Sequence, residues 1–141
     1  MPVAHFHIPV GSASTEQRAA LLTAASAAYS RILDSPIERV RAFVVQYDPT
    51  DLAVGGQLVA DGGSAAPYFT AIVLAGRPAQ QRSELLAAFT DLVVEHLDVE
   101  RSGVRGQIVE VAPENWGIAG VPASDVRASE ISIRAARHTA P

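Results

Sequence analysis

Apolar and polar positions along the chain follow two rhythms, and each rhythm occurs twice. Residues 2–9 (PVAHFHIP) and 67–75 (PYFTAIVLA) are short runs rich in β-branched and aromatic residues, which predicts strands. Between 15 and 33 the spacing becomes helical: Leu21, Leu22, Ala25, Ala28, Tyr29 and Ile32 fall on one stripe. Ser14 followed by Gln17 predicts an N-cap closed by a capping box. A second stripe, Leu85, Leu86, Phe89, Leu92, Val93 and Leu97, predicts a matching helix. Residues 40–47 and 104–111 are rich in Val and Ile and predict two further strands.

The chain is thus an internal repeat of strand, helix and strand. Aligning the copies pairs Pro2 with Pro67, Ser12 with Arg77, Arg41 with Arg105, Leu52 with Trp116 and Gly56 with Gly120. A strand–helix–strand unit implies parallel pairing through a right-handed crossover. The expected fold is therefore α/β (α+β): two tandem β-α-β units, one four-stranded sheet parallel within each unit, and both helices on one face. The whole of 1–141 is expected to form one domain. Its first unit spans 2–56 and its second 67–121, joined by a flexible Gly- and Ser-containing linker over 57–66. The tail over 122–141 is expected to hold a short strand or helix, frayed over 135–141. The sheet face opposite the helices has nothing in so small a chain to cover it, which argues for an oligomer with sheets packed together.

Composition narrows the partners. The chain has 141 residues, 48% hydrophobic and 18% charged, with a net charge of −4 and no cysteine. The charge gives no reason to expect nucleic acid or an anionic membrane, and disulfide and thiol chemistry are excluded. No apolar run approaches the roughly 20 residues of a membrane span. No secretion signal is visible, so the expected location is the cytoplasm.

Candidate chemistry centres on Pro2. Processing usually removes Met before a small residue, which would leave Pro2 as a secondary amine able to carry a proton. In an apolar pocket beside a cation its pKa should fall toward neutrality, and an amine so poised is a good general base. Pro67 cannot substitute, because its nitrogen is an internal amide. A single working site in each chain is therefore expected.

The penultimate Pro, the Gly-Ser or Gly-Arg pair after each first strand, the Val40-Arg41 and Val104-Arg105 approach to each second strand, and the Leu52 and Trp116 hairpins with their trailing glycines carry a family resemblance. In their order and in both halves, these motifs resemble the tautomerase superfamily. The chain is similar to a fused, two-copy version of 4-oxalocrotonate tautomerase over about residues 2–125. The resemblance implies a homotrimer and a cofactor-independent isomerase for a small carboxylate substrate, either a 2-hydroxy-dienoate or an arylpyruvate enol. It implies Pro2 as the base and Arg77, from the second copy, as the cation that stabilises the oxyanion or carboxylate. It implies Arg41 or Arg105 as the residue gripping a distal carboxylate, and Trp116, with Leu52 as its counterpart, as a pocket wall. A guanidinium suits both tasks because it is fixed, planar and bidentate.

Tyr29, on the apolar helix stripe, predicts core and is carried as a further candidate substrate contact. His5 and His7 lie two apart on one strand face, but without Cys or a nearby acid an ordinary interface role outweighs a metal site. No metal or cofactor is implied. His96 and His138 read as surface residues.

Other branches of the superfamily hydrate, dehalogenate or decarboxylate three-carbon acids. Positions that would carry those chemistries hold Tyr29, Arg39, Leu74, Ala79 and Ile118 here, which favours tautomerisation, although Glu114 and Asn115 are near Trp116. A non-catalytic oligomeric scaffold of the same fold is the remaining alternative.

Overall fold

Strand β1 (Val3–Pro9) leads into helix α1 (Thr15–Leu33), which returns the chain to β2 (Arg41–Tyr47). The second half repeats the pattern with β5 (Tyr68–Leu74), α2 (Ala79–Leu97) and β6 (Arg105–Val111). Two small hairpins follow the second strands: β3 (Ala53–Val54) with β4 (Gln57–Leu58), and β7 (Gly117–Ile118) with β8 (Val121–Pro122). Helices α3 (Ala123–Val126) and α4 (Ala128–Thr139) close the chain. This is a computed structural model that describes residues 2–139, with side chains described through residue 137. Met1, the side chain of His138 and the last two residues of the expected frayed tail lie outside the described residues.

The main sheet has the order β2-β1-β5-β6. Pairing is parallel within each half and antiparallel where the halves meet. One four-stranded sheet, parallel within each half, is the predicted arrangement, with expected bounds within about a residue of the observed ones; the strand order and the antiparallel junction are set by the structure. At the start of α1 the capping box is present: the Gln17 amide donates to Ser14 Oγ (3.1 Å) and the Ser14 amide donates to Gln17 Oε1 (2.8 Å). Both helices end in an aspartate with left-handed backbone, Asp34 and Asp98, another trace of the repeat.

Alternation along the strands sends one set of side chains under the helices. Ala4, Phe6, Ile8, Phe69, Ala71 and Val73 are fully buried there against Leu21, Ala25, Tyr29, Leu85, Phe89 and Val93. The central register places Phe6 opposite Phe69 and Ala4 opposite Ala71, so large and small residues alternate about a local two-fold. Phe89 caps this layer, with ring centroids 5.5 Å from Phe6 and 5.6 Å from Phe69. Gly106 pairs with Phe69, whose ring occupies the space a Cβ would need.

The opposite sheet face is bare. His5, His7, Phe43, Tyr47 and Tyr68 stack across it, and Phe43 is 47% exposed. His7 Nδ1 lies 2.7 Å from the Tyr47 hydroxyl, and burial together with neighbouring His5 lowers the His7 pKa. Among the described residues no acidic group joins these histidines to make a metal cluster.

Two expectations change. The linker is structured: Gln57–Leu58 closes a hairpin, and the Gly63 amide donates to the Leu58 carbonyl (3.0 Å). A side chain at Gly63 would strike that backbone, with a Cβ 2.8 Å from the Leu58 oxygen, so the glycine is there for close approach rather than slack. The tail is helical through Thr139, beyond where fraying was expected, because α4 docks on the body of the protein through ionic contacts described next. Among the described residues no helix is long and apolar enough to cross a membrane.

Candidate active site

The antiparallel seam between the halves brings the site together. Val3 pairs with Ile72, so the strand start at Pro2 lies beside the strand end at Val73 and Leu74. Three residues past that strand end comes Arg77. Pro2 is buried, and it lines a cavity of about 20 Å³ with Val73, Leu74 and Arg77. That volume holds about one water molecule. At the other end of the same seam the matching positions are Pro67 and Ser12. Ser12 Oγ donates to the Pro9 carbonyl (2.7 Å) and offers no cation.

Helix α1 orients the arginine. Arg77 Nη1 donates to the Leu33 carbonyl in the last turn of α1 (2.5 Å), where orphan carbonyls and the helix dipole both favour a cation. Burial, with a smaller contribution from Arg134, lowers the Arg77 pKa to about 10, opposed by Asp34, Glu130 and Tyr29. Arg77 thus remains charged at neutral pH.

The same cavity contains residues that sequence reasoning did not assign to the site. Arg39, from the turn before β2, donates Nη1 and Nη2 to Glu130 of α4 at 2.9 and 3.0 Å. This fork holds the Glu130 carboxyl below its ordinary pKa and raises that of Arg39. Arg127 and Arg134 add two more guanidinium groups to the lining. From this inner space an outer cavity of about 290 Å³ opens between the end of α1 and α4, again lined by Arg39, Arg77, Glu130 and Arg134. Its size is at the small end of the ~300–1,000 Å³ typical of ligand pockets.

Of the other predicted site residues, Arg41 and Trp116 come together, but in a neighbouring cavity of about 370 Å³. That cavity touches the first through Arg39 and Arg127. Arg41 is opposite Val3, and its amide donates to the Pro2 carbonyl (3.0 Å), while its Nη1 donates to the Arg39 carbonyl (3.1 Å). Arg105 occupies the equivalent place at the Pro67 end, opposite Tyr68, with its Nη1 donating to the Ser102 and Val104 carbonyls. Leu52 sits in the first hairpin, where its carbonyl accepts from the Val59 amide, and it lines none of these three cavities. Tyr29 lies wholly beneath the sheet. Its hydroxyl donates to the Ile72 carbonyl (2.5 Å) and is 3.4 Å from the Val3 carbonyl, so it ties β1 to β5 one residue from Pro2. Burial raises its pKa well above the ordinary phenol value.

Comparison with known proteins agrees with the doubled architecture. The family model described as tautomerase enzyme matches residues 2–62 and again 67–125. The chain belongs to the tautomerase family of enzymes. A 2-hydroxymuconate tautomerase of Pseudomonas fluorescens is 40% identical over 57 residues, which is 40% of this chain and 89% of that protein. A crystal structure of native fused 4-OT superposes with a TM-score of 0.83 at 27% identity, covering 89% of this chain and 98% of that one. A second structure, described as a fused 4-OT wild-type asymmetric trimer, gives 0.80 at 25% identity over 88% of this chain and 98% of that one.

Proposed function

We propose that the chain is a cofactor-independent tautomerase of small enol acids, with 2-hydroxy-dienoates such as 2-hydroxymuconate and arylpyruvate enols as its substrate class. With Met1 removed, the Pro2 nitrogen is a free secondary amine. Burial and nearby guanidinium groups both favour its neutral form. It accepts the proton as the enol O–H bond breaks and the C=O forms, and returns it to carbon as the new C–H bond forms. Arg77 faces the same space and stabilises negative charge on the oxygen or the adjacent carboxylate without reorganising. Arg41 and Trp116 complete the wall on the adjoining side. The observation that carries this reading is that Pro2 and Arg77, from different halves of the chain, line one cavity.

Water-adding chemistry needs a carboxylate base. Glu130 is the acid lining the Pro2 cavity, and its two oxygens accept from Arg39. A carboxylate stabilised in this way is a weak base, so the site favours proton shuttling over hydration. The aromatic face opposite the helices would be covered by further copies, and the fused relatives described as trimers support a homotrimer.

Ultraviolet absorbance of 2-hydroxymuconate and phenylenolpyruvate tests the reading. Removing a general base typically costs about 10²–10⁴ in rate, and Pro2→Ala is expected to lose activity on that scale. Turnover unchanged in Pro2→Ala, or an intact mass showing Met1 retained in the active protein, would overturn the mechanism.

A further inference from the structure

Residues 126–139 lie beyond the family match, which ends at residue 125. They nevertheless contribute Arg127, Glu130 and Arg134 to the space around Pro2. Together with Arg39 and Arg77 this makes four guanidinium groups against one carboxylate, in a protein whose net charge is −4. Two of the cations have protein partners: Arg39 is matched to Glu130, and Arg77 to the end of α1. Arg127 and Arg134 differ. The Arg127 Nε is buried and has no hydrogen-bond partner among the described residues. Arg134 is half-buried, and among the described residues it forms no salt bridge with an acid. Desolvation lowers its pKa, as does Arg39, against the opposing effect of Glu130.

A partly desolvated guanidinium with no carboxylate at salt-bridge distance costs stability, and an anion bound there would offset that cost. Arg134 lines both the inner cavity at Pro2 and the outer cavity that opens from it. Arg41 faces the other cavity, whose lining does not include Pro2. We infer that Arg134, with Arg127 beside it, seats a second anionic group of the substrate. The site then takes enol acids carrying a carboxylate at both ends, and the appended helix, rather than Arg41, sets that preference. This inference rests on the tautomerase reading of Pro2 and Arg77.

The test compares kcat/KM for a dicarboxylate, 2-hydroxymuconate, with that for a monocarboxylate, phenylenolpyruvate. A charge-assisted bidentate contact is worth roughly 10- to 100-fold in affinity. Arg134→Ala is expected to raise the dicarboxylate KM by about that factor and to lower the ratio of the two specificity constants at least about tenfold. Arg134→Lys is expected to recover part of the loss, since it keeps charge and loses the fork. Calorimetry supplies a readout independent of turnover: adipate is expected to bind the wild-type protein more tightly than hexanoate, and to lose that advantage in Arg134→Ala. Circular dichroism confirms that each variant is folded. An unchanged ratio, an equal loss on both substrates, or a selective loss in Arg41→Ala instead would overturn the inference. Pro2→Ala retaining full activity would instead sink the underlying tautomerase reading, whatever adipate does.

Discussion

Replacing Tyr29 with phenylalanine separates a buried brace from a substrate contact. The ring stays, so no large cavity forms, and only the hydroxyl is lost. That hydroxyl donates at 2.5 Å to the Ile72 carbonyl and lies 3.4 Å from that of Val3, joining the two antiparallel strands beside Pro2. A buried hydrogen bond contributes about 0.5–1.5 kcal/mol net, and a buried acceptor left without its donor costs about 1–3 kcal/mol. Tyr29→Phe should therefore destabilise the protein by about 2 kcal/mol. With a urea m-value of about 2 kcal/mol/M, the unfolding midpoint drops by about 1 M. The comparison requires equal protomer concentrations, because assembly contributes to apparent stability. KM should hold, while kcat falls a few-fold as Pro2 and Arg77 lose their fixed spacing. A midpoint within about 0.2 M of wild type combined with a tenfold rise in KM would refute the argument and place the hydroxyl on the substrate.

Two further outcomes test the surroundings of the site. Phe43→Asp puts a charge into the bare aromatic face, and sedimentation should show the wild-type oligomer replaced by smaller species; an assembly unchanged at micromolar concentration would mean that this face is not the contact. Glu130 should titrate below the ordinary carboxylate value of 4.5 in a carbon-13 NMR experiment, because the Arg39 fork stabilises its charged form. The sign follows from linkage: a depressed folded-state pKa stabilises the fold above the unfolded-state value, and that stabilisation is lost as pH falls through the lower one. Both side chains are partly exposed, so the effect is at most about 1 kcal/mol, and a midpoint at or above 4.5 would contradict the bridge.

Most of the fold was legible because the repeat states each element twice, with the periodicity of one copy checking the other. The pairing of Pro2 with Arg77 was implied by the family resemblance, and the observed antiparallel seam, which sets the start of one first strand beside the end of the other, is what brings both to one cavity. Placement of Arg41 at that end and Arg105 at the far end needed the observed register, because the two copies are identical in motif. The stripe that carries Tyr29 predicts a buried face correctly, but helical spacing alone does not say what a buried hydroxyl will bond. The linker was misread because Gly-rich composition suggests slack, whereas Gly63 answers a close backbone approach. Arg127, Glu130 and Arg134 were missed altogether. Helix α4, which Arg127 precedes, mixes charge with few large apolar residues, and it docks through a fork between Arg39 and Glu130, partners 91 positions apart, that no local pattern announces.

A tandem duplication also breaks an equivalence that separate single-copy subunits must keep. When identical short chains assemble, any extension added to one is added to all, and every pocket receives it. Here helix α4 follows the second repeat, and among the described residues it lines the cavity at the Pro2 end. Under the proposed mechanism the Pro67 end, with an internal amide and with Ser12 where the other end has Arg77, is expected to tolerate surface changes without loss of turnover.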